Sequence, residues 1–181
     1  MFYKFTIKDH IRVSPEQFEM DKKTALLQKI KEKFDGMISK DMGFIIDCTK
    51  LIDVGQGRII TGDGAIYHPC TFELVSYLPE NNELLHCQVR EITDFGAFLN
   101  LGPIDGMVHL TQTMDDFVSF SKDKVLQGKE SKNVLKIADK CRAKIIAVSY
   151  KDLSHPKIGL TMRQKNLGNV EWKEKVKKWK N

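Results

Sequence analysis

Two phenylalanines three residues apart, Phe95 and Phe98, and a histidine, His109, are the side chains of this sequence best suited to bind a ligand. Nucleic-acid bases stack on aromatic rings, and each stacked base contributes roughly 1–3 kcal/mol to the binding of a single strand. Residues three apart on a regular strand point to opposite faces, but Gly96 permits a bulge or sharp twist that turns both rings to one surface. Phenylalanine in a strand is more often a core residue, and Phe95 is the one expected to be partly core, so the spacing alone leaves both interpretations open.

Basic side chains near the aromatic residues supply charge for phosphates, the second requirement of RNA binding. Four of them flank the last two predicted strands: Arg142, Lys144, Lys157 and Arg163. Residues 163–181 hold seven Lys and Arg against two Glu, which accounts for the whole formal net charge of +5. A basic terminus fits either phosphate binding or a solvated helix end, and the composition does not decide between them.

No pattern of residues indicates catalysis or a metal centre. The five histidines are scattered, without a nucleophile–base pair or an Asp-rich metal motif beside them, and Asp115-Asp116 is interpreted as a helix start or solvated turn. His68-Pro69-Cys70 lacks a second pair of metal ligands. We therefore predict no catalytic residue, no metal and no cofactor.

The cysteine spacing and the hydropathy indicate a cytoplasmic protein without a membrane partner. The four cysteines lack the close pairs that structural zinc needs, so we predict reduced, mostly buried thiols. They are Cys48, Cys70, Cys87 and Cys141. No apolar run approaches the roughly 20 residues that cross a bilayer, and the N-terminus lacks a secretory signal.

The predicted strands and helices that must position these side chains fall into two groups along the sequence. The first group begins with a run of alternating apolar and polar residues. Residues 2–13 predict a half-buried strand, and Ser14-Pro15 with Gln17 predict a capped helix from there to about Phe34, ended by Asp35-Gly36. Further strands are predicted at 43–48, 57–61, 65–67 and 70–78, with tight turns at 54–57 and 62–64.

Residues 79–83 combine a proline with four polar residues between two strand-like runs and predict a domain boundary. Five strand-like runs follow, at 84–92, 95–101, 106–110, 141–150 and 157–162. The long interval of about 111–139 is expected to hold short helices. Five short strands with the longest insertion after the third fit a small five-stranded barrel.

The second half resembles a known RNA-binding domain. Val-Arg-Glu-Ile-Thr-Asp-Phe-Gly-Ala-Phe-Leu-Asn-Leu at 89–101, followed by Asp-Gly-Met-Val-His-Leu-Thr at 105–111, is similar to the signature of S1 domains. S1 domains are OB-fold barrels that bind single-stranded RNA through two aromatics and a histidine. The resemblance implies that role for Phe95, Phe98 and His109, and less securely for the four basic residues.

The whole chain resembles the E-prime family of archaeal RNA polymerase stalk subunits, whose eukaryotic relative is the seventh subunit of RNA polymerase II. The similarity is carried by Asp-Met-Gly-Phe-Ile-Ile at 41–46, Gly-Asp-Gly-Ala-Ile-Tyr-His-Pro at 62–69, and Leu-Thr-Met-Arg-Gln at 160–164 with Glu171-Trp172. Two departures stand out. Residues 165–169 read Lys-Asn-Leu-Gly-Asn where the family usually has Pro-x-Leu-Gly-Lys, and Cys48 and Cys70 replace aliphatic residues.

This resemblance implies an α+β protein: a truncated RNP-like polymerase-docking domain at 1–79 and an S1-type OB-fold five-stranded β-barrel at 80–181, with a basic tail from about 164. It implies a non-catalytic subunit that forms a heterodimer with the mostly helical second subunit of the stalk and holds emerging RNA during initiation and elongation, supporting processivity. Tip loops of the first domain would dock on the polymerase core. The matching residues are Gly55, Gly57, Ile59, Ile60, Gly62, Asp63 and Gly64. Leu78, Leu84 and Leu85 are candidates for the contact with the helical stalk partner.

Two other functions remain open. A free S1 protein of translation or RNA decay would share the barrel but not the pattern of residues 1–79. A nuclease with an accessory S1 domain would need acidic metal ligands that converge in the first domain, where the candidates are Asp47, Asp53 and Asp63.

Overall fold

Residues 1–121, 123–152 and 156–172 are described by the computed structural model. The contacts between residues divide the chain into two units, Met1–Leu78 and the residues from Pro79 onward. Most of the basic C-terminal tail, residues 173–181, lies outside the described residues.

The first unit is an antiparallel sheet with one helix. Its elements are β1 (Phe2–Val13), α1 (Lys22–Phe34), β2 (Ile38–Ser39), β3 (Gly43–Val54), β4 (Arg58–Ile59) and β5 (Ile66–Tyr77). The strand order is β1-β5-β3-β2, and β4 pairs with β5. Leu26, Ile30 and Phe34 recur at the helical repeat and are buried. They pack in one core with β5, where the rings of Phe34 and Phe72 lie 5.4 Å apart.

The start of the helix differs from the prediction, whereas its end at Phe34 is confirmed. Pro15–Gln17 form only a short 3-10 turn, and Ser14 makes no side-chain capping bond. The α-helix begins at Lys22 because Asp21 is the effective cap: its carboxylate accepts the N–H of Thr24 at 3.1 Å.

The strands of the first unit are longer or shorter than predicted. The run at 43–48 continues to Val54, and the runs at 65–67 and 70–78 form the single strand β5. Pro69 does not interrupt β5, because its carbonyl still accepts the N–H of Gly55 at 2.7 Å. The run at 57–61 shrinks to Arg58–Ile59.

The second unit contains the predicted barrel. Its strands are β6 (Leu84–Thr93), β7 (Gly96–Asn100), β8 (Asp105–His109), β9 (Val118–Ser121), β10 (Val125–Gly128), β11 (Val134–Leu135), β12 (Lys140–Ser149), β13 (Lys157–Thr161) and β14 (Gly168–Asn169). Five of them follow the order β13-β8-β7-β6-β12, and pairing between β12 and β13 closes the barrel. The short β14 adds to β12. Val89, Leu99, Val108, Ile145 and Leu160 are buried in this unit.

The long interval after β8 holds strands rather than the expected helices. After a 3-10 turn at Leu110–Gln112, β9, β10 and β11 form a separate antiparallel sheet. Residues 118–121 carry apolar side chains at alternating positions, a strand pattern. Leu126 of β10 is fully buried beside its partner Leu135 of β11. The prediction of helices was therefore wrong, because strands of only two to four residues give too short a pattern to identify them in the sequence.

No helix of the described part of the chain has the length and apolarity that a membrane crossing requires.

Candidate nucleic-acid interface

The two phenylalanines lie together on the surface of the second unit. Phe95 directly precedes β7 and Phe98 lies within it, and their ring centroids are 6.1 Å apart in an edge-to-face arrangement. Phe95 is 47% exposed, whereas Phe98 is half-buried. The expectation that Phe95 is the partly buried ring was wrong, because Phe95 stands outside the strand while Phe98 lies on it between Glu91 and Met107. We call Phe95, Phe98 and His109 the aromatic platform.

Gly96 allows this arrangement because no side chain fits at its position. A Cβ atom there would overlap the carbonyl oxygen of Val108 on the adjacent strand β8. The close approach pairs Gly96 with His109, and the N–H of Leu110 donates to the carbonyl of Phe95 at 2.9 Å. The glycine thus fixes the histidine opposite the start of β7, beside Phe95.

His109 is exposed and is oriented by the turn that follows it. Its Nδ1 accepts the N–H of Thr111 at 3.3 Å and lies 2.9 Å from the Thr111 hydroxyl. With Nδ1 as the acceptor, the neutral ring carries its proton on Nε2. The Nε2–H can donate to a phosphate or a base edge, and the ring face remains suited to stacking.

The structure does not bring the four predicted basic residues to one place. Arg163 lies near the turn after His109, because the preceding residue, Met162, donates its N–H to Gln112 at 2.8 Å. Its Nε donates to Asp115 at 2.9 Å. Arg142 and Lys144 lie on β12 and line a cavity that Arg163 does not line. Lys157 begins β13 opposite Ser149.

Phe117 is a surface aromatic that the sequence argument did not single out. It is 78% exposed and lines a cavity of about 490 Å³ together with Thr111 and Arg163. A lone phenylalanine between an aspartate and a valine gives no periodic signal, so only its exposure identifies it.

The neighbouring Asp115-Asp116 pair is structural rather than a helix start. The Asp116 carboxylate accepts the N–H of Ser131 at 2.8 Å and the N–H of Glu130 at 3.0 Å. The bond from Ser131 is the largest cause that lowers the pKa of Asp116. Asp116 therefore fixes the loop before β9 against the loop after β10, whereas Asp115 pairs with Arg163.

The predicted tip loop of the first unit has a rigid side and an apolar side. The guanidinium of Arg12 donates to both oxygens of Asp63, at 2.6 and 3.0 Å, and the Tyr67 hydroxyl donates to the same carboxylate at 2.5 Å. These bonds, led by that from Arg12, lower the pKa of Asp63 to about 2. Ile59 and Ile60, by contrast, are 72% and 52% exposed.

The four glycines of the tip loop serve two purposes. Gly62 and Gly64 have φ of 94° and 70°, a left-handed conformation that disfavours other residues. Gly55 packs against Pro69, and Gly57 packs against His68 and Ile66, so closely that a Cβ atom would collide with those side chains. The glycines thus shape a tight loop that presents the two isoleucines.

The cysteines are buried, as predicted. All four thiols are free. Desolvation raises the pKa of Cys87 to about 12, and it also raises the pKa of Cys141, its cross-strand neighbour. The ring of His68 is buried with Nδ1 3.3 Å from the carbonyl oxygen of Gly55. Within the described ranges, no group of three or more His, Cys, Asp or Glu side chains could hold a metal ion.

Both halves of the sequence match known protein families. A family model described as "SHS2 domain found in N terminus of Rpb7p/Rpc25p/MJ0397" matches residues 8–64, and the S1 RNA binding domain matches residues 78–152. The S1 match contains the whole aromatic platform.

Relatives with similar sequences cover nearly the full chain. DNA-directed RNA polymerase subunit Rpo7 of Saccharolobus shibatae is 32% identical over 180 residues, which is 98% of this chain and 100% of the relative. The Rpo7 of Sulfolobus acidocaldarius is 32% identical over 95% of this chain and 94% of its own. DNA-directed RNA polymerase II subunit 7 of Arabidopsis thaliana is 24% identical over 80% of this chain and 82% of its own.

Likeness to solved structures is weaker. The apo form of Mycoplasma genitalium RNase R matches 44% of this chain and 13% of that chain, with 28% identity and a TM-score of 0.39.

Proposed function

Because this chain belongs to the Rpo7/RPB7 family of DNA-directed RNA polymerase subunits, we propose that it is a non-catalytic stalk subunit of an archaeal polymerase and works in the cytoplasm. The first unit would dock on the polymerase core, and the second would bind the emerging RNA. Holding the transcript in this way would support initiation, elongation and processivity.

The single observation that carries RNA binding is the aromatic platform within the matched S1 domain. Phe95 offers an exposed ring at an edge-to-face contact with Phe98, and His109 is fixed opposite Gly96. Bases of any type stack on such rings, and single strands expose them. The arrangement favours single-stranded RNA with little sequence preference.

Docking on the core is supported by the exposed tip of the first unit. A single exposed apolar side chain is common on protein surfaces, but Ile59 and Ile60 are two adjacent ones. Their loop is fixed by the hydrogen bonds that Arg12 and Tyr67 donate to Asp63. A rigid loop loses little conformational entropy when it enters a pocket. Gly55, Gly57, Gly62 and Gly64 would contribute through the loop shape.

The chain is also proposed to form a heterodimer with a mostly helical second stalk subunit. The candidate contacts are apolar residues close in sequence to the domain boundary. In the first unit Leu78 is half-buried, and in the second Leu84 is 68% exposed beside the half-buried Leu85. Leucines at these positions would gain by burial against a partner helix.

The test is mass spectrometry of the proteins that co-purify with a tagged copy from its native cell at moderate salt. We expect the large polymerase subunits and a small helical protein in near-equal amount. Recovery of ribosomal or exosome proteins without polymerase would instead favour a free S1 protein of translation or RNA decay.

A further inference from the structure

A groove on the second unit gathers basic side chains away from the aromatic platform. Two cavities, of about 560 Å³ and about 600 Å³, both include His86 and Arg142 in their walls and so form one continuous groove. Lys144 and Lys165 line the first cavity, and Lys140 lines the second. We call this feature the basic groove.

Three of the cations form a regular row on β12. Lys140, Arg142 and Lys144 occupy alternate positions, and the residues between them, Cys141 and Ala143, are buried in the barrel. Side chains two residues apart on a strand point to the same side, with a separation of about 7 Å. Such a row resembles the repeat of phosphates along an extended nucleic-acid strand.

The charges of the basic groove are uncompensated. In the ranges that the structure describes, its walls contain no carboxylate, and its lysines and arginine make no ion pair. Other cations behave differently: Arg90 pairs with Asp105, and Arg163 pairs with Asp115. The carboxylate of Asp139, which precedes Lys140, already accepts an N–H from Lys136 and the amide of Asn169. An external anion would therefore find every cation of the groove available.

The walls of the basic groove suit a sugar–phosphate backbone better than bases. They include the amide side chains of Asn82, Gln164 and Asn166, which can donate to phosphate or ribose oxygens. Leu84 and Leu85 also line the first cavity, so the helical partner proposed above would border the groove there, and the RNA would follow the cations of β12 toward the second cavity. Among the residues that the structure describes, no Phe, Tyr or Trp lines either cavity, so bases would find there no aromatic ring other than the imidazole of His86 on which to stack.

We propose that the basic groove binds consecutive phosphates of single-stranded RNA and extends the footprint of the aromatic platform. This inference rests on the proposed function. Register places Asn100, Gln88 and Lys140 in one row across β7, β6 and β12, and Asn100 lies two residues after Phe98. The row therefore starts on the order of 10 Å across and 7 Å along the sheet from Phe98. An RNA just long enough to cover the aromatic platform would not reach the row, whereas a longer RNA would.

The experiment measures the affinity of the full-length chain for fluorescein-labelled oligouridylates of about 4 and about 16 nucleotides, the range of site sizes for OB-folds. The variant carries Lys140→Gln, Arg142→Gln and Lys144→Gln. Each phosphate contact to a single strand adds about −0.7 to the slope of log affinity against log salt, so loss of three should make the slope for the long RNA shallower by about 2. The affinity for the short RNA should not change.

A matched control removes the same charge elsewhere on the unit, by Lys129→Gln, Lys132→Gln and Lys136→Gln at exposed positions. A second variant, Lys140→Arg, Arg142→Lys and Lys144→Arg, keeps the charges and should keep the slope. An unchanged slope in the Gln variant would overturn the inference, and that result is also expected if the groove serves an acidic protein. An equal loss in the control would overturn it too.

Failure of the proposed RNA binding would look different. The Phe95→Ala variant would then bind both oligouridylates as tightly as the parent protein. A normal effect of Phe95→Ala with no effect of the Gln variant would reject the groove alone.

Discussion

At the scale of single residues, Gly96 is the position on which the platform depends. Phe95 and Phe98 would point to opposite sides of a regular strand, yet their rings touch because Phe95 stands before β7. The contact of Gly96 with the backbone of Val108 brings His109 opposite the start of that strand. The predicted bulge at Gly96 is not seen, since the register irregularity between β6 and β7 lies at Val89/Glu91, and the sequence did not indicate which ring is exposed.

We predict that Phe95→Ala weakens the binding of a single-stranded oligoribonucleotide between about 5- and 150-fold, because one stacked base contributes roughly 1–3 kcal/mol. Fluorescence anisotropy at fixed salt measures the change. Phe120→Ala is the matched control, since Phe120 is similarly exposed at 40% but lies on β9. Equal weakening by both variants would contradict a specific platform.

At the scale of elements, alternation of apolar and polar residues predicted the strand bounds more accurately than capping residues predicted the start of the helix. Strand β1 matches its predicted bounds, and the five barrel strands were located within a few residues. Their alternating apolar residues fill a closed core, which leaves one register for each strand. The helix start was wrong because Ser14-Pro15 and Asp21 both offer a cap, and a single sequence does not rank them. The small sheet β9–β11 was missed because its strands have only two to four residues.

We predict that Asp21→Ala lowers the free energy of unfolding by about 0.5–2 kcal/mol, the usual cost of losing a helix cap. Ser14→Ala should change it by much less, since Ser14 makes no capping bond. Urea unfolding followed by circular dichroism compares the two. A larger effect of Ser14→Ala would mean that the helix starts at the earlier residue.

The site residues were only partly predictable for a physical reason. Phe95, Phe98 and His109, which are proposed to bind RNA, belong to a motif with fixed spacing, so the sequence indicated them together. The basic groove depends on which strands are neighbours, because His86 of β6 pairs with Arg142 of β12, 56 positions later in the sequence. Nothing in local spacing indicates that pairing.

At the scale of the whole molecule, the features proposed for docking and for RNA binding lie on separate units. The exposed isoleucines belong to Met1–Leu78, whereas the platform and the basic groove belong to the unit that begins at Pro79. Each unit has its own buried residues, so a surface change in one should leave the other folded.

We predict that Ile59→Asp reduces recovery of the large polymerase subunits with the tagged chain by at least tenfold, because a charge would have to enter an apolar pocket at a cost of several kcal/mol. Its affinity for single-stranded RNA should stay within twofold of the parent value. Lys8→Asp, an exposed change in the same unit, is the control for altered charge. Normal recovery of polymerase with Ile59→Asp would argue against docking through the tip.

The burial of the four native thiols makes the protein convenient for site-specific labelling. Maleimides react with accessible thiolates, and desolvation keeps these thiols protonated by raising the pKa of each one. A cysteine introduced at an exposed position of the second unit, such as Ile137, would react alone. A fluorophore could thus report on the distance to RNA without replacement of any native cysteine.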